Sequence, residues 1–160
     1  MADFTMDNLI DIVGNALLRQ FPDDISQVYY GDVGIYPPKA FQSNRGEQRR
    51  VIAIVPSSDL LDEGRNLMAE IRTLTINVIV MVNMTPFFEA MPPEAIGERV
   101  LVQLVDKIRT FLAQDVAMTL GGNVLTSKVP SVEWDWMQRG SDAIRAAAIE
   151  FEVKVQVRRL

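Results

Sequence analysis

The sequence predicts an α+β fold, in which a mixed, mostly antiparallel sheet of about five strands carries two helices packed on one face. Two segments repeat apolar residues at helical spacing, and five others show the alternation or the short apolar runs typical of strands. Their order is helix, three strands, helix, two strands. Five strands span about 24 Å, and two adjacent helices cover about 20 Å of that width. The other face is therefore left for water or for a partner.

The first helix is expected to begin after Thr5 or Asp7, because either side chain can cap free backbone N–H groups. Its apolar stripe ends before Pro22. A strand is expected next, at about residues 27–36. A short and almost wholly apolar strand follows at residues 50–55.

Residues 57–69 form an acidic and polar connection that contains two leucines, and we expect a loop or an arm there. A long strand is expected at residues 71–84. One of its faces is apolar from Leu74 to Val82, and the other changes from polar to apolar at Ile79. Residues 78–82 are thus apolar on both sides. This pattern predicts that the strand is central in the sheet or is covered by something outside the chain.

The second helix is expected at residues 93–114, with one apolar and one charged side. A turn at residues 121–123 follows it. The next strand, at residues 132–138, carries Trp134 and Trp136 on the same face. These tryptophans either pack in the core against a helix, which is the commoner role, or anchor an interface.

The last strand begins at about Ala143, and from Ile149 to Arg158 its apolar residues alternate with charged or polar ones. Its charged face is acidic at Glu150 and Glu152 and then basic at Lys154 and Arg158. Such a row suits head-to-tail contact, in which the acidic end of one copy meets the basic end of the next. A face in contact with water explains the same residues.

The composition limits the possible functions. The whole chain, residues 1–160, is expected to form one domain. It contains no cysteine and no histidine, which removes disulfides, thiolate chemistry and the commonest general base and metal ligand. A net charge of −5 argues against a dedicated nucleic-acid-binding protein. No catalytic residue, metal or cofactor is expected.

Two stretches superficially resemble ligand-binding sites, one for phosphate and one for a cation. The sequence GNVLTSK at residues 122–128 resembles a phosphate-binding loop, but two residues that the motif needs are replaced, and a hairpin turn is the better interpretation. Asp59, Asp62 and Glu63 could hold a cation, but they lack the spacing of a calcium loop and fit a solvated loop. A hydrolase with paired carboxylates is not excluded by spacing, and it has no positive support.

Arg45, Arg49 and Arg50 form a basic cluster near a turn. Such a cluster usually marks a solvated strand entrance, and the alternative is contact with phosphate or with an acidic partner. The cluster is therefore a candidate contact site.

The layout of the chain is distinctive as a whole. An N-terminal amphipathic helix is followed by YYGDVGIYPPKAF, by the strand RRVIAIV, by a loop and by the long strand IRTLTINVIVMVNM. The helix PPEAIGERVLVQLVDKIRTFL and the closing strand AIRAAAIEFEVKVQVRR complete it. In this layout, over nearly all of its length, the chain resembles the tail terminator (tail completion) proteins of long-tailed bacteriophages. That family is recognised by pattern and size, so no catalytic motif is carried over.

The resemblance implies an α+β subunit that assembles into a six-fold ring, a homohexamer, at the head-proximal end of the tail in the virion. Such a ring sits on the last ring of the tail tube protein, stops tube growth and offers a docking surface to a neck or head-completion protein. DNA passes through its lumen without specific binding. Assembly in the host cytoplasm, without a membrane, is expected.

The expected contacts with other subunits or with the tube are the arm, the strand entrance and the charged face of the last strand. The nearest alternative role is another neck or tail-connector ring protein. A small α+β binding module of non-phage origin and an enzyme rank behind it. The candidate contact residues are Arg49, Arg50, Asp59, Asp62, Glu63, Arg65, Glu150, Glu152, Lys154 and Arg158.

Overall fold

A computed structural model describes residues 4–25, 27–31, 50–66, 69–83, 93–114, 124–139 and 142–158 of the chain. The order of the elements confirms the predicted succession of helix, three strands, helix and two strands. The elements are α1 (Met6–Gln20), β1 (Gln27–Tyr30), β2 (Arg50–Asn66), β3 (Ala69–Asn83), α2 (Pro93–Gln114), β4 (Val124–Arg139) and β5 (Asp142–Arg158).

The five strands form one sheet in the order β1-β2-β3-β5-β4. β1 and β2 are parallel, and the other three neighbouring pairs are antiparallel. The predicted mixed, mostly antiparallel sheet is therefore confirmed. β3 lies at the centre and β4 lies at one edge. At the other edge β1 pairs with residues 51–54 of β2.

Both helices pack on one face of the sheet, called the helix face here. α1 contacts β1 and β2, and α2 contacts β3, β4 and β5. One apolar core cluster lies between the helices and the sheet. The residues of β3 and β5 that enter it alternate along each strand, as the sequence predicts. They are Leu74, Ile76, Val78, Val80 and Val82 of β3, and Ala147, Ile149, Phe151, Val153 and Val155 of β5.

Thr5 caps α1, in agreement with the sequence. Its hydroxyl oxygen accepts a hydrogen bond from the Asn8 N–H at 3.2 Å, and the Asn8 side-chain oxygen accepts one from the Thr5 N–H at 3.1 Å. This reciprocal pair satisfies N–H groups that have no partner inside the helix. At the other end the Phe21 N–H donates to the Leu17 carbonyl at 3.0 Å. The Phe21 ring packs edge-on against Phe111 of α2, with centroids 5.7 Å apart, and so joins the two helices.

The face opposite the helices, called the back face, is apolar at one end. A second apolar cluster lies there, and its Met81 is only 1% exposed. These side chains are screened from water within a single chain. Met81 on this face and Val78, Val80 and Val82 on the helix face are thus buried within one chain, whereas Ile79 is only partly buried. The cluster consists of Val51, Ala53, Met81, Ile144 and Ala146, with Tyr29 and Ile79 packed against it.

β2 is longer than the sequence predicts. It continues to Asn66, and β3 begins at Ala69, so the loop interpretation is wrong for residues 57–66 and for residue 69; residues 67–68 lie outside the described residues. Residues 57–66 of β2, paired with the start of β3, are called the arm here. Three register shifts in this pairing interrupt the alternation of faces, and Pro56 lies at the first of them. Because pattern rules depend on strict alternation, they end the strand too early.

β4 is also longer, since it begins at Val124 rather than at residue 132. Residues 124–128 of the GNVLTSK stretch therefore belong to a strand, and the hairpin-turn interpretation is wrong for them. Residues 121–123 lie outside the described residues. The same is true of the predicted first strand beyond Gly31.

Candidate interaction surface

The arm presents one leucine on each side of the sheet. Leu60 lies opposite Thr73 on the back face, and Leu61 lies opposite Arg72 on the helix face. Both leucines are more than half exposed. Successive side chains of a strand point to opposite faces, so two consecutive leucines cannot enter the same core. At least one of them is available for contact with another chain.

Asp59 and Asp62 of the arm, two of the predicted contact residues, are held by ion pairs within the chain. Arg72 Nη1 lies 3.5 Å from Asp59 Oδ2. On the back face, Asp62 Oδ2 accepts a hydrogen bond from the Thr73 hydroxyl at 2.8 Å and lies 3.4 Å from Lys154 Nζ. Asp59 lies on the opposite face from this pair, so the two carboxylates do not converge on one cation. Among the described residues, no cluster of three acidic side chains could hold a metal ion.

The charged face of β5 also makes its contacts within the chain. The Ser131 hydroxyl donates a hydrogen bond to Glu150 Oε2 at 2.7 Å, and Lys128 Nζ lies 3.3 Å from Glu152 Oε1. Lys154 pairs with the arm. Glu150 and Glu152 therefore pair with the neighbouring strand β4, and Lys154 reaches across β3 to Asp62 of β2. The row from acidic to basic residues thus makes contacts within the sheet, and it is a weaker candidate for contact between copies than the sequence suggests.

Arg50 is part of a clamp between three elements. Its Nη1 lies 3.0 Å from Asp24 Oδ1, in the turn after α1, and Lys107 Nζ of α2 lies 3.3 Å from Asp24 Oδ2. The Arg50 side chain is only 23% exposed. Through Asp24 it connects the start of β2 to the turn after α1 and to α2, rather than forming an open basic surface. Arg45 and Arg49 lie outside the described residues.

Three further predicted contact positions lie together at one end of the sheet. Glu63 pairs with Ile71, and Arg158 pairs with Ala69. Arg65 lies near the end of β2. Because β3 lies between β2 and β5, the end of the arm and the end of β5 form the same end of the sheet.

Trp134 and Trp136 lie on the edge strand β4 and are 42% and 46% exposed. Their cross-strand partners, Ala147 and Arg145, place them on the helix face. The Arg145 guanidinium lies 5.1 Å from the centroid of the Trp136 ring, in cation–π contact. The core interpretation of these tryptophans is wrong, because both are exposed, and the side chains of β4 that pack against the core, among those described, are valines. These valines are Val124, Val129 and Val132.

Two further apolar residues, which the sequence pattern does not single out, are exposed on the edges of the sheet. Tyr30, at the end of β1, and Leu125, near the start of β4, are each about half exposed. Leu125 lies at a register shift between β4 and β5. A signal for Leu125 existed, since Val124 and Leu125 are adjacent and only one of them can face the core of a strand.

The exposed apolar side chains are concentrated on the edges of the sheet. Among the described residues, six of the eight large apolar side chains that are exposed lie on β1, on the arm or on β4. β1 and residues 55–66 of β2 are called the β1–β2 edge here, and β4 is called the β4 edge. Single exposed leucines are normal, but a concentration on both edges makes these edges candidate interaction surfaces. The six are Tyr30, Leu60, Leu61, Leu125, Trp134 and Trp136.

Two pockets formed by described residues lack the pair of carboxylates that hydrolysis without histidine or cysteine requires. One lies beside the clamp and is lined by Asp24, Arg50 and Lys107 together with parts of α2. The other lies between the ends of α1 and α2 and is lined mainly by Phe21, Phe111 and polar side chains. Each contains a single carboxylate, so neither provides the pair that carboxylate-based hydrolysis requires.

Within the described residues, neither helix is apolar enough over its length to cross a membrane. In comparisons with known proteins, no family model matches the chain, and no curated protein is significantly similar to it. The two exposed sheet edges are therefore the strongest functional feature of the described structure.

Proposed function

We propose that this chain is a structural, non-enzymatic protein of a long-tailed bacteriophage, and that its copies form a homohexameric ring at the head-proximal end of the tail. The ring caps the tail tube, stops its elongation and provides the docking surface for the neck or head. The observation that carries this proposal is the exposure of large apolar side chains on both edges of one open sheet. Two different edges that each need covering fit a ring, in which one edge of each copy meets the opposite edge of the next.

The charge of the chain is compatible with a lumen through which DNA passes. A net charge of −5 repels phosphate and disfavours specific binding. On the back face, Lys128 and Lys154 each pair with a carboxylate, which weakens their attraction for a phosphate backbone.

In this proposal the tail tube protein binds one end of the ring, and a neck or head-completion protein binds the other. Contact between sheet edges leaves the ends of the strands free. Glu63, Arg65 and Arg158 lie together at one such end, so they are the candidate contacts with these proteins.

The non-enzymatic part of the proposal rests on the residues available. The whole sequence contains no histidine and no cysteine, which are the commonest general base and the strongest side-chain nucleophile near neutral pH. The exposed apolar side chains on the edges suit binding rather than catalysis.

The test is to disrupt the gene in the phage and to image the tails by electron microscopy. Abnormally long tubes without heads are expected, and the intact gene supplied from a plasmid should restore normal tails. As a matched pair, Trp134→Lys should fail to restore them, whereas Leu18→Lys should succeed, because Leu18 is exposed on α1 and belongs to neither edge strand. Normal, head-bearing tails without the gene would refute the proposal.

The same images separate the alternatives. Tails of normal length that fail to join heads would indicate a neck or connector ring. A module of non-phage origin predicts no tail defect and no copies of the chain in purified particles.

A further inference from the structure

The two sheet edges carry apolar side chains at matching heights, that is, at matching positions along the strand direction. Cross-strand pairs define rows that cross the whole sheet, and one row joins Trp134 to Val28 at the opposite edge. The adjacent row on the same face joins Val132 to Tyr30. The aromatic side chains of the two edges therefore stand one row apart on the helix face. The first row runs Trp134, Ala147, Val80, Ile52, Val28.

The leucines at the other end of the sheet are matched in the same way. Leu125 lies between Val124 and Thr126 at a register shift. The row of Val124 ends at Leu61, and the row of Thr126 ends at Leu60. Leu125 on one edge thus stands at the height of the two exposed leucines on the other.

The strand directions also match. β2 and β5 run in one direction, and β3 and β4 run in the other. Rotation about a ring axis does not reverse a strand, so β4 of one copy meets β1 and β2 of the next copy in antiparallel orientation. In the described part of the chain, β4 pairs only with β5, and β2 beyond Ile54 pairs only with β3. Both edges therefore offer a row of N–H and C=O groups to another strand.

We infer that β4 of one copy adds to the β1–β2 edge of the next copy as an antiparallel strand, with the rows level across the joint. This inference rests on the proposed ring and names the contact that builds it. Trp134 then lies opposite Val28 and diagonal to Tyr30 of the next copy, at a distance that aromatic side chains bridge. Beyond Tyr30, where β1 ends, β4 has to come one strand spacing closer to β2, and both strands carry a register shift at that position, at Lys128/Ser131 and at Pro56/Ser58. Leu125 then lies beside Leu60 and Leu61 of the next copy.

The alternative arrangement of two copies covers fewer of the exposed apolar side chains. A two-fold contact between two β4 edges is also antiparallel, but it leaves the β1–β2 edge with Tyr30, Leu60 and Leu61 exposed. The head-to-tail joint covers both edges of every copy once the ring closes.

The test uses the absence of cysteine from the chain, which allows thiols to be placed without background. Leu61→Cys and Leu125→Cys are combined in one chain and oxidised mildly. Adjacent strands bring Cα atoms to about 4.5–5.5 Å, which a disulfide can bridge. The expected product is a ladder of covalent multimers, reversible by reduction, that ends at the closed ring. The matched control combines Leu18→Cys with Leu125→Cys and should give no ladder.

The tryptophans provide a second measurement without any substitution. Both tryptophans of the chain lie on the β4 edge, so all tryptophan fluorescence reports on this edge. Assembly should move the emission to shorter wavelength and reduce quenching by acrylamide. Assembly that leaves the emission unchanged would contradict a joint at β4.

Crosslinking is done on concentrated protein and on particles of the disrupted phage complemented with the same variant. Dimers from Leu125→Cys alone, or no ladder from the double variant in either sample, would overturn the inference. Overlong tubes in the disrupted phage combined with a missing ladder would refute this joint but still support the terminator role. A ladder combined with normal tails in the disrupted phage would support this joint and refute the terminator role.

Discussion

The side chain of Tyr30 fills the space beside Gly14. Any other residue at position 14 would place its Cβ in that space. A Cβ on Gly14 would lie 2.5 Å from the Tyr30 hydroxyl oxygen and 2.9 Å from its ring carbon Cε1. Gly14 is buried within α1, and Tyr30 ends β1, so this contact sets how closely the helix approaches the sheet edge. Glycine inside a helix costs about 0.5–1 kcal/mol relative to alanine, and close packing of Tyr30 offsets that cost.

The first prediction concerns the coupling of these two residues. Gly14→Ala should give no net stabilisation while Tyr30 is present, because the new methyl group displaces the ring. In a Tyr30→Ala background the same change should stabilise the protein by about 0.5–1 kcal/mol. A double-mutant cycle with urea unfolding measures the difference. Equal effects of Gly14→Ala in both backgrounds would show that the contact is not energetically coupled.

The second prediction concerns pH. Partial burial raises the pKa of Tyr30 above 10.0, and the negative charge of Asp11 raises it further. A raised pKa means that the folded state favours the neutral phenol. The contribution of Tyr30 to stability is therefore full below about pH 10 and is lost as the pH rises through the folded-state pKa.

Ultraviolet titration of the three tyrosines should show one that ionises late, and Tyr30→Phe should remove it. Asp11→Asn should lower its pKa in part, because burial, the larger cause, remains. A late titration that survives Tyr30→Phe would assign the shift to another residue.

The parts of the fold that sequence could predict depend on short local signals. The cap at Thr5 and the faces of β5 are determined within a few residues. The end of β2 and the start of β4 are not, because both strands pass irregularities that break alternation, at Pro56 and near Pro130. Pairing with the neighbouring strand continues through these irregularities, and a single-strand pattern does not contain that information.

The exposure of the tryptophans and the pairing of the charged residues could not be predicted from the sequence for a related reason. Alternation assigned Trp134 and Trp136 to the same face, but their exposure depends on how far the helix layer extends over β4. The pairing of Glu152 with Lys128 depends on the register between two strands. Both are properties of the assembled sheet.

The third prediction concerns the clamp at Asp24. Asp24→Asn should destabilise the protein by about 1–2 kcal/mol, since it weakens charged contacts with both Arg50 and Lys107 in a partly buried setting. Asp23→Asn, at the exposed neighbouring position, is the control and should have little effect. Chemical denaturation at low and high salt is the measurement, and the difference should shrink as salt screens the ion pairs. Equal stability of the two variants would rule out an energetic role for the clamp.

The fourth prediction asks whether the back face is screened within one chain. Met81→Ala should cost about 2–5 kcal/mol, as for other fully buried side chains, even in the monomer. Leu61→Ala, at an exposed position of the arm, should change stability by less than about 0.5 kcal/mol under the same conditions. A small effect of Met81→Ala in the monomer would mean that the apolar end of the back face is open and awaits a partner.

The last prediction concerns what keeps the arm in the sheet. The Thr73 hydroxyl donates to Asp62 at 2.8 Å and holds that carboxylate next to Lys154, so one buried hydroxyl links the arm to β3 and β5. Thr73→Val keeps the shape of the side chain and removes the hydrogen bond, and should cost about 1 kcal/mol. Amide hydrogen exchange should become faster at residues 59–62 but not at residues 51–54, which β1 and β3 hold from both sides. Thr75→Val, the same change one row away on the same face, is the control. Identical exchange in the two variants would mean that backbone pairing alone maintains the arm, and the edge offered to the next copy would then not depend on Asp62.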